Sequence, residues 1–143
     1  MKVILYMAVT ANGLVASPKD EVGFVSENEW KSFSNMTNKI GNMVIGRRTF
    51  ELMKKESEFK KFKKVKIVVV SREKFTNNGV MVVNSPKSAL NFLQKKKFKT
   101  VLVAGGGKIN ASFMALGLVD EIFLDVMPAM LGKGIPLFNG ENF

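Results

Sequence analysis

"VLVAGGGKINASFMALGLVDEI", residues 101–122, is the stretch that decides the fold class. It opens with a short run that is apolar on both faces, as in a central parallel strand. The residues after the glycines have helical spacing, with Ile109, Phe113 and Leu116 on one face and Gly117 at the left-handed C-terminal position. Three glycines in a row are costly to order. They therefore indicate either a very sharp turn or the close approach of a ligand.

The same alternation of strand and helix extends along the rest of the chain. A helix is predicted after Ser26, with Glu29 at the capping-box spacing, another after Gly46, and a third after Ser85-Pro86. A turn is predicted at 77–79. The predicted strands are residues 2–10, 42–45, 65–70, 80–83, 100–104, 121–127 and 135–139. We expect the last two to pair antiparallel, which predicts one α/β domain over residues 1–143 in three layers. Its central sheet is mostly parallel, with an antiparallel C-terminal edge and helices on both faces.

Composition removes several classes of enzyme. The 143 residues include no histidine and no cysteine, so Ser-His-Asp hydrolysis, thiolate catalysis and zinc sites built on these residues are excluded. No acidic pair is placed for a metal, and we predict none. The net charge of +10 lies largely in two lysine-rich runs, residues 54–66 and 95–99, which we interpret as solvated faces that attract a polyanionic small molecule rather than nucleic acid. The sequence shows no membrane span or targeting segment, so we expect a cytoplasmic protein.

Three predicted strand ends carry residues suited to anions. They are residues 46–49, "GRRT", residues 71–72, "SR", and residues 105–108, "GGGK". Ligands of open α/β sheets bind beyond the carboxyl ends of the strands, and helix N-termini attract phosphate. Each motif is weak alone, since "GGGK" matches neither a P-loop nor G-x-G-x-x-G. Together they predict two separate phosphate sites, the pattern of NADPH rather than NADH.

Six segments together resemble a known family. They are "MAVTANGLVAS", "SENEWKSF", "NMVIGRRTFE", "VVVSRE", "VLVAGGGKINASFMALGLVDEI" and "MPAMLGKGIPLF". In this order and spacing they resemble the dihydrofolate-reductase-like superfamily, and within it the reductase domain of bacterial and archaeal riboflavin biosynthesis, as a short stand-alone member. The family's cofactor residues carry over to matching positions, and the resemblance implies that they hold NADPH. These positions are Ala8, Gly46, Arg47, Arg48, Thr49, Ser71, Arg72, Gly105, Gly106, Gly107, Lys108 and Ile109.

The substrate side departs from the family pattern. Riboflavin reductases have S-x-D-G after the first strand, whereas this chain has "TANG", in which Asn12 replaces the acid. The resemblance implies that Asn12, Glu29, Trp30 and Phe33 bind substrate, and that Glu29 or a water it orients supplies the catalytic proton. Glu29 is equally explained as a helix cap, and Trp30 and Phe33 as core residues. We do not expect the zinc deaminase domain of the bifunctional enzymes within these residues, because they include no histidine or cysteine.

The resemblance implies an NADPH-dependent reductase acting on a C=N bond. Its substrate would be a pteridine or a phosphoribosylamino-pyrimidine, as in 5-amino-6-(5-phosphoribosylamino)uracil reductase. Dihydrofolate reductase activity proper is one alternative. A non-catalytic nucleotide- or nucleic-acid-binding protein is another, and a structural dimer without a substrate site is a third. Family members pair through their C-terminal strands, so we expect a homodimer through "IFLDVMPAM", residues 122–130, although this segment also fits a core.

Overall fold

The predicted alternation of strands and helices is present in a computed structural model of the chain, which describes residues 1–77 and 79–140, with only the backbone of Ser57 and Glu58. Asn78, in the predicted turn at 77–79, lies outside the described residues. The elements are β1 Lys2–Thr10, β2 Leu14–Ala16, α1 Glu27–Ile40, β3 Asn42–Gly46, α2 Arg47–Met53, a 3₁₀ helix Ser57–Phe62, β4 Lys66–Val70, β5 Val80–Val83, α3 Pro86–Lys95, β6 Thr100–Val103, α4 Gly107–Ala115, β7 Glu121–Met127 and β8 Ile135–Pro136.

The central sheet has six strands in the order β5-β4-β3-β6-β1-β7, and every neighbouring pair is parallel. The predicted α/β class with a parallel central sheet is thereby confirmed. The expected pairing of the last two strands with each other is wrong. Strand β7 pairs parallel with β1, and β8 pairs antiparallel with β2 in a separate two-stranded sheet.

The connection after β7 explains this difference. Ala11 N donates to Ala129 O at 2.8 Å, and Asn12 Nδ2 donates to Leu131 O at 2.6 Å, so the connection is tied to the turn after β1. The chain therefore leaves the main sheet and meets β2. Strand β2 was not predicted, because three residues are too few for an alternating pattern to be recognised.

The helices cover both faces of the sheet. Helices α3 and α4 pack on one face over valines of the inner strands, and α1, α2 and the 3₁₀ helix cover the other. Ser26 Oγ accepts from Glu29 N at 3.1 Å, which confirms the predicted start of α1. Gly117 has the predicted left-handed conformation. Leu116 was wrongly placed on the buried face of α4, because the helix ends at Ala115 and Leu116 is exposed.

None of the described helices combines the length and the apolar character needed to span a bilayer.

Candidate active site

A cleft of about 1110 Å³ lies along the carboxyl ends of β1, β3, β4 and β6. This is the edge at which open α/β sheets bind their ligands, and the volume slightly exceeds the usual range for small-molecule sites, up to about 1000 Å³. The beginnings of α1, α2 and α4 and the loop after β2 form its walls. The cleft therefore has room for two ligands side by side.

One end of the cleft gathers most of the predicted cofactor residues. Gly46 N donates to Gly105 O at 2.9 Å, so the turns after β3 and β6 adjoin. Ile109 packs against Gly46, where an added Cβ would lie only 2.8 Å from the Ile109 side chain. The predicted residues that line the cleft are Ala8, Gly46, Arg47, Arg48, Thr49, Gly106, Gly107, Lys108 and Ile109.

Glycine occupies these three consecutive positions for different reasons. Gly105 has a φ of +91°, and an added Cβ would lie 3.0 Å from the Met7 side chain. A Cβ on Gly107 would lie 2.5 Å from the backbone oxygen of Pro136. At Gly106, which follows a cis peptide bond and faces the cleft, the nearest atom would be the Thr49 hydroxyl at 3.3 Å. The fold itself thus requires glycine at 105 and 107, and only Gly106 leaves approach space for a ligand.

Two of the three predicted phosphate-binding arginines, Arg47 and Arg48, carry carboxylate partners. Arg47 pairs with Glu73 at 2.7 Å, and its guanidinium lies 4.8 Å from the centre of the Phe75 ring. Arg48 pairs with Asp20, which sits on the loop after β2. Carboxylates and phosphates satisfy the same guanidinium geometry. These positions can therefore accept a phosphate in exchange for a side chain.

The structure does not bring four predicted residues into the cleft wall, namely Asn12, Ser71, Arg72 and Gly105. Ser71 Oγ donates to the backbone oxygen of Glu73 at 2.8 Å and accepts from its amide at 3.2 Å, so it shapes the loop after β4. Arg72 is exposed on that loop. Asn12 is exposed, accepts from Thr10 Oγ1 at 2.7 Å, and ties down the loop after β7.

The other end of the cleft is aromatic and acidic. Trp30, Phe33 and Glu29 line it, as the resemblance implied, and so does Tyr6. The Phe33 ring lies 5.7 Å from that of Tyr6 and 6.3 Å from that of Trp30. Phe33 also packs against the hydrophobic core, so this residue both lines the cleft and belongs to the core.

Two acidic side chains and the tyrosine meet under this end. The Tyr6 hydroxyl donates to Asp125 Oδ2 at 2.5 Å, and the Glu29 carboxyl also hydrogen-bonds with Asp125. Burial, followed by the bond and charge of Asp125, raises the pKa of Glu29 to about 7. The bonds from Glu29 and Tyr6 lower the pKa of Asp125. Burial first, and then Asp125, raises the pKa of Tyr6 above its ordinary value.

Sequence reasoning missed Asp125, and it did not assign Tyr6 to the site. The available signal was an acid inside an otherwise apolar strand, "IFLDVM". It could not be used while β7 was assigned to the wrong partner strand. No group of acidic residues suited to a metal ion occurs among residues 1–77 and 79–140.

Comparisons with known proteins agree with this architecture. The family model described as "RibD C-terminal domain" matches residues 1–143. Two Bacillus subtilis proteins, "Uncharacterized protein YyaP" and "Uncharacterized protein YwjB", are 28% and 26% identical to the chain. The first alignment covers 96% of this chain and 80% of the relative, and the second covers 96% and 83%.

Two solved structures share the fold. One is a putative riboflavin biosynthesis protein from Shewanella sp. PV-4, with a TM-score of 0.79 and 20% identity over 98% of this chain and 84% of that one. The other is a diaminohydroxyphosphoribosylaminopyrimidine deaminase/5-amino-6-(5-phosphoribosylamino)uracil reductase from Thermotoga maritima, with a TM-score of 0.72 and 18% identity. The match covers 99% of this chain but 49% of the Thermotoga protein, so the chain spans about half of its length.

Proposed function

Because the chain belongs to the RibD C-terminal domain family and has a dihydrofolate-reductase-like fold, we propose that it is an NADPH-dependent reductase that delivers a hydride to the carbon of a C=N bond. The observation that carries the proposal is one continuous cleft joining a basic end to an aromatic and acidic end. A reductase needs this pairing, with a cofactor held by its phosphates beside a substrate held near a proton donor. The Thermotoga protein, which shares the fold, is named in part as a reductase.

The basic end fits a phosphorylated dinucleotide. Arg47 and Arg48 can exchange their carboxylate partners for phosphate, and Lys108 lies at the beginning of α4, where free N–H groups favour an anion. Gly106 leaves the backbone open to close approach. NADPH, when bound, supplies the hydride. We assign the adenosine 2′-phosphate to Ser71 and Arg72, on the loop whose Glu73 pairs with Arg47.

The aromatic end fits a flat nitrogen heterocycle. Trp30 and Phe33 offer ring faces, and the buried Glu29 carboxyl can give a proton to a ring or imine nitrogen. A pteridine and a phosphoribosylamino-pyrimidine both have this chemistry. The second also carries a phosphate, and Asn12, at the position of the family's acid, lies outside the cleft wall. Dihydrofolate reductase activity is therefore the alternative that deserves a direct test.

The test is NADPH oxidation with each of two substrates, dihydrofolate and the deaminated phosphoribosylamino-pyrimidine, beside calorimetric titration with NADPH alone. Turnover of either supports the proposal and names the substrate. NADPH binding with no turnover indicates a structural or regulatory member, and absence of NADPH binding refutes the proposal. Nucleic-acid binding with steep salt dependence in place of NADPH binding would favour the alternative of a nucleic-acid-binding protein.

Gly106→Val is the matched cofactor-site variant. Its side chain would fill the approach space beside Thr49, so we expect NADPH binding to weaken by at least about tenfold, some 1.4 kcal/mol. Gly132→Val is the control, because a Cβ on Gly132 meets no atom within 4 Å. Unchanged affinity in a folded Gly106→Val protein would contradict the placement of the pyrophosphate.

We also propose a homodimer formed through β7. This strand is an edge of the sheet, and its exposed apolar side chains point to both faces, a pattern that a second copy would cover. These side chains, together with one on the following loop, are Ile122, Phe123, Leu124, Val126 and Met130. Sedimentation equilibrium should give a dimer for the wild type and a monomer for Val126→Lys, whose site is 61% exposed. A monomeric wild type would refute this assembly.

A further inference from the structure

The three side chains beneath the aromatic end come from three different elements. Tyr6 lies on β1, Asp125 on β7 and Glu29 in the first turn of α1. The register pairs Ala8 with Asp125, and Tyr6 is two residues before Ala8, so Tyr6 and Asp125 are diagonal neighbours on one face of the sheet. Helix α1 packs on that face through Phe33, which contacts Tyr6. The parallel pairing of β1 with β7 thus brings the acid pair together.

The hydrogen bonds distinguish the two carboxyls. Tyr6 has one hydroxyl proton, and it is donated to Asp125 at 2.5 Å. If Glu29 holds a proton, it donates this proton to Asp125 as well, so that one anion accepts from two donors. Glu29 is 7% exposed and lines the cleft, whereas Asp125 is half-buried and is not part of the cleft wall. The geometry therefore sets the proton-bearing carboxyl toward the ligand and the charged one away from it.

We propose that Asp125 and Tyr6 are positioning residues that hold the shared proton on Glu29, where it faces the substrate. The inference rests on the proposed reductase function. When a hydride adds to the carbon of a C=N bond, the π electron pair passes to the nitrogen, which takes the proton from Glu29. The Glu29 carboxylate then lies beside the Asp125 carboxylate. Repulsion between them favours the return of a proton from water before the next cycle.

Among the described side chains, Asp125 and Tyr6 are the neighbouring groups that act on the titration of Glu29. Strands β3 and β6, against which α1 also packs, carry no titratable side chain. The 3₁₀ helix carries Lys60 and Lys61, both exposed, and on α1 itself Glu27 and Lys31 are exposed. The pKa shifts of the two carboxyls have the expected directions. Burial and Asp125 raise the pKa of Glu29, while Glu29 and Tyr6 lower the pKa of Asp125.

The test follows the titration of Glu29 in the apo protein by ¹³C NMR of carboxyl-labelled glutamate, with the Glu29 signal assigned by its loss in Glu29→Gln. Asp125→Asn removes the acceptor charge, so we expect the midpoint of Glu29 to fall by about one pH unit. Tyr6→Phe removes the donor that stabilises the charged pair, so we expect the midpoint to rise. Glu27→Gln, which changes an exposed acid in the same helical turn, should leave the midpoint unchanged.

Opposite shifts in the two variants support the inference, since loss of packing alone gives no reason for opposite signs. Unchanged midpoints, or shifts in the same direction, overturn it. If only one variant folds, the sign of its shift decides. The high-pH limb of the rate profile should move with the midpoint in each variant. The NMR titration needs no turnover, so a protein that reduces neither substrate but shows both shifts refutes the reductase while the proton placement stands.

Discussion

Replacing Glu29 with glutamine should stabilise the folded protein near pH 8 and change its stability little near pH 5. In the folded protein Glu29 keeps its proton up to a pKa of about 7, while in the unfolded chain it loses the proton near its ordinary value of 4.5. Between these values the folded state binds more protons, so stability falls as the pH rises. Glutamine carries no charge and its amide can donate to Asp125 at every pH. The free energy of unfolding of the variant therefore does not fall in this way as the pH rises.

The magnitude follows from the two pKa values of Glu29. Their difference corresponds to at most about 3.5 kcal/mol, because one pKa unit is worth about 1.4 kcal/mol. We expect Glu29→Gln to be about 1–2 kcal/mol more stable than the wild type near pH 8, since water that reaches the cleft reduces the energetic cost of the Glu29 charge. The pKa of Asp125 is lowered from 3.8, so Asp125 is ionised in both states across this range and adds no slope.

Urea unfolding of the wild type and the variant at several pH values between about 5 and 8 measures this difference. Thermal unfolding should agree, with about 3 °C for each kcal/mol in a chain of this length. Glu27→Gln, an exposed acid in the same helical turn, is the matched control and should show no such pH dependence. A Glu29→Gln effect of equal size at every pH would refute the reasoning, because a packing change has no proton linkage.

Three further predictions concern other parts of the cleft. Gly107→Ala should destabilise the protein by about 2–3 kcal/mol in urea unfolding, because its Cβ would lie 2.5 Å from a backbone oxygen. Gly106→Ala should cost less than about 1 kcal/mol, and equal losses in the two variants would contradict this difference. Tyr6 is the one tyrosine in the sequence, so ultraviolet titration should detect tyrosinate only well above its ordinary pKa of 10.0, and ionisation near pH 10 would exclude the buried bond. Asp20→Asn keeps a side chain suited to the positive φ at this site but removes the carboxylate that pairs with Arg48. Calorimetry should therefore find NADPH bound about threefold more tightly. Weaker binding would show that the contact between Asp20 and Arg48 aids cofactor binding.

Sequence patterns predicted the parts of the fold that depend on neighbouring residues. The beginnings of α1 and α3 were predicted at Ser26 and Ser85, because a cap and the residues after it lie within one turn. The strand ends that carry Arg47 and Lys108 were predicted for the same reason, since a strand–turn–helix junction is local. Nine of the twelve predicted cofactor residues accordingly line one cleft.

The features that sequence reasoning missed depend on register between distant segments. Nothing near Asp125 in the sequence indicates that β7 lies beside β1, more than 110 residues away, so the acid could not be matched with Tyr6. The glycines are a second case. At Gly107 the close neighbour is Pro136, from the strand that the sequence had paired elsewhere, and a contact of this kind cannot be told from a ligand site by composition.

Strand β7 carries both Asp125 of the acid pair and the side chains of the proposed dimer interface. Because successive side chains of a strand point to opposite faces, the two roles can be tested separately. Asp125 points toward α1 and the acid pair, so its neighbour Val126 points to the opposite face of the sheet. A charge at Val126 should therefore break the dimer without entering the acid cluster. If Val126→Lys becomes monomeric and Glu29 keeps its titration midpoint, each subunit sets its own proton donor. If the midpoint moves as the dimer dissociates, the second copy takes part in excluding water from the pair, and Asp125 links assembly to the chemistry of the cleft.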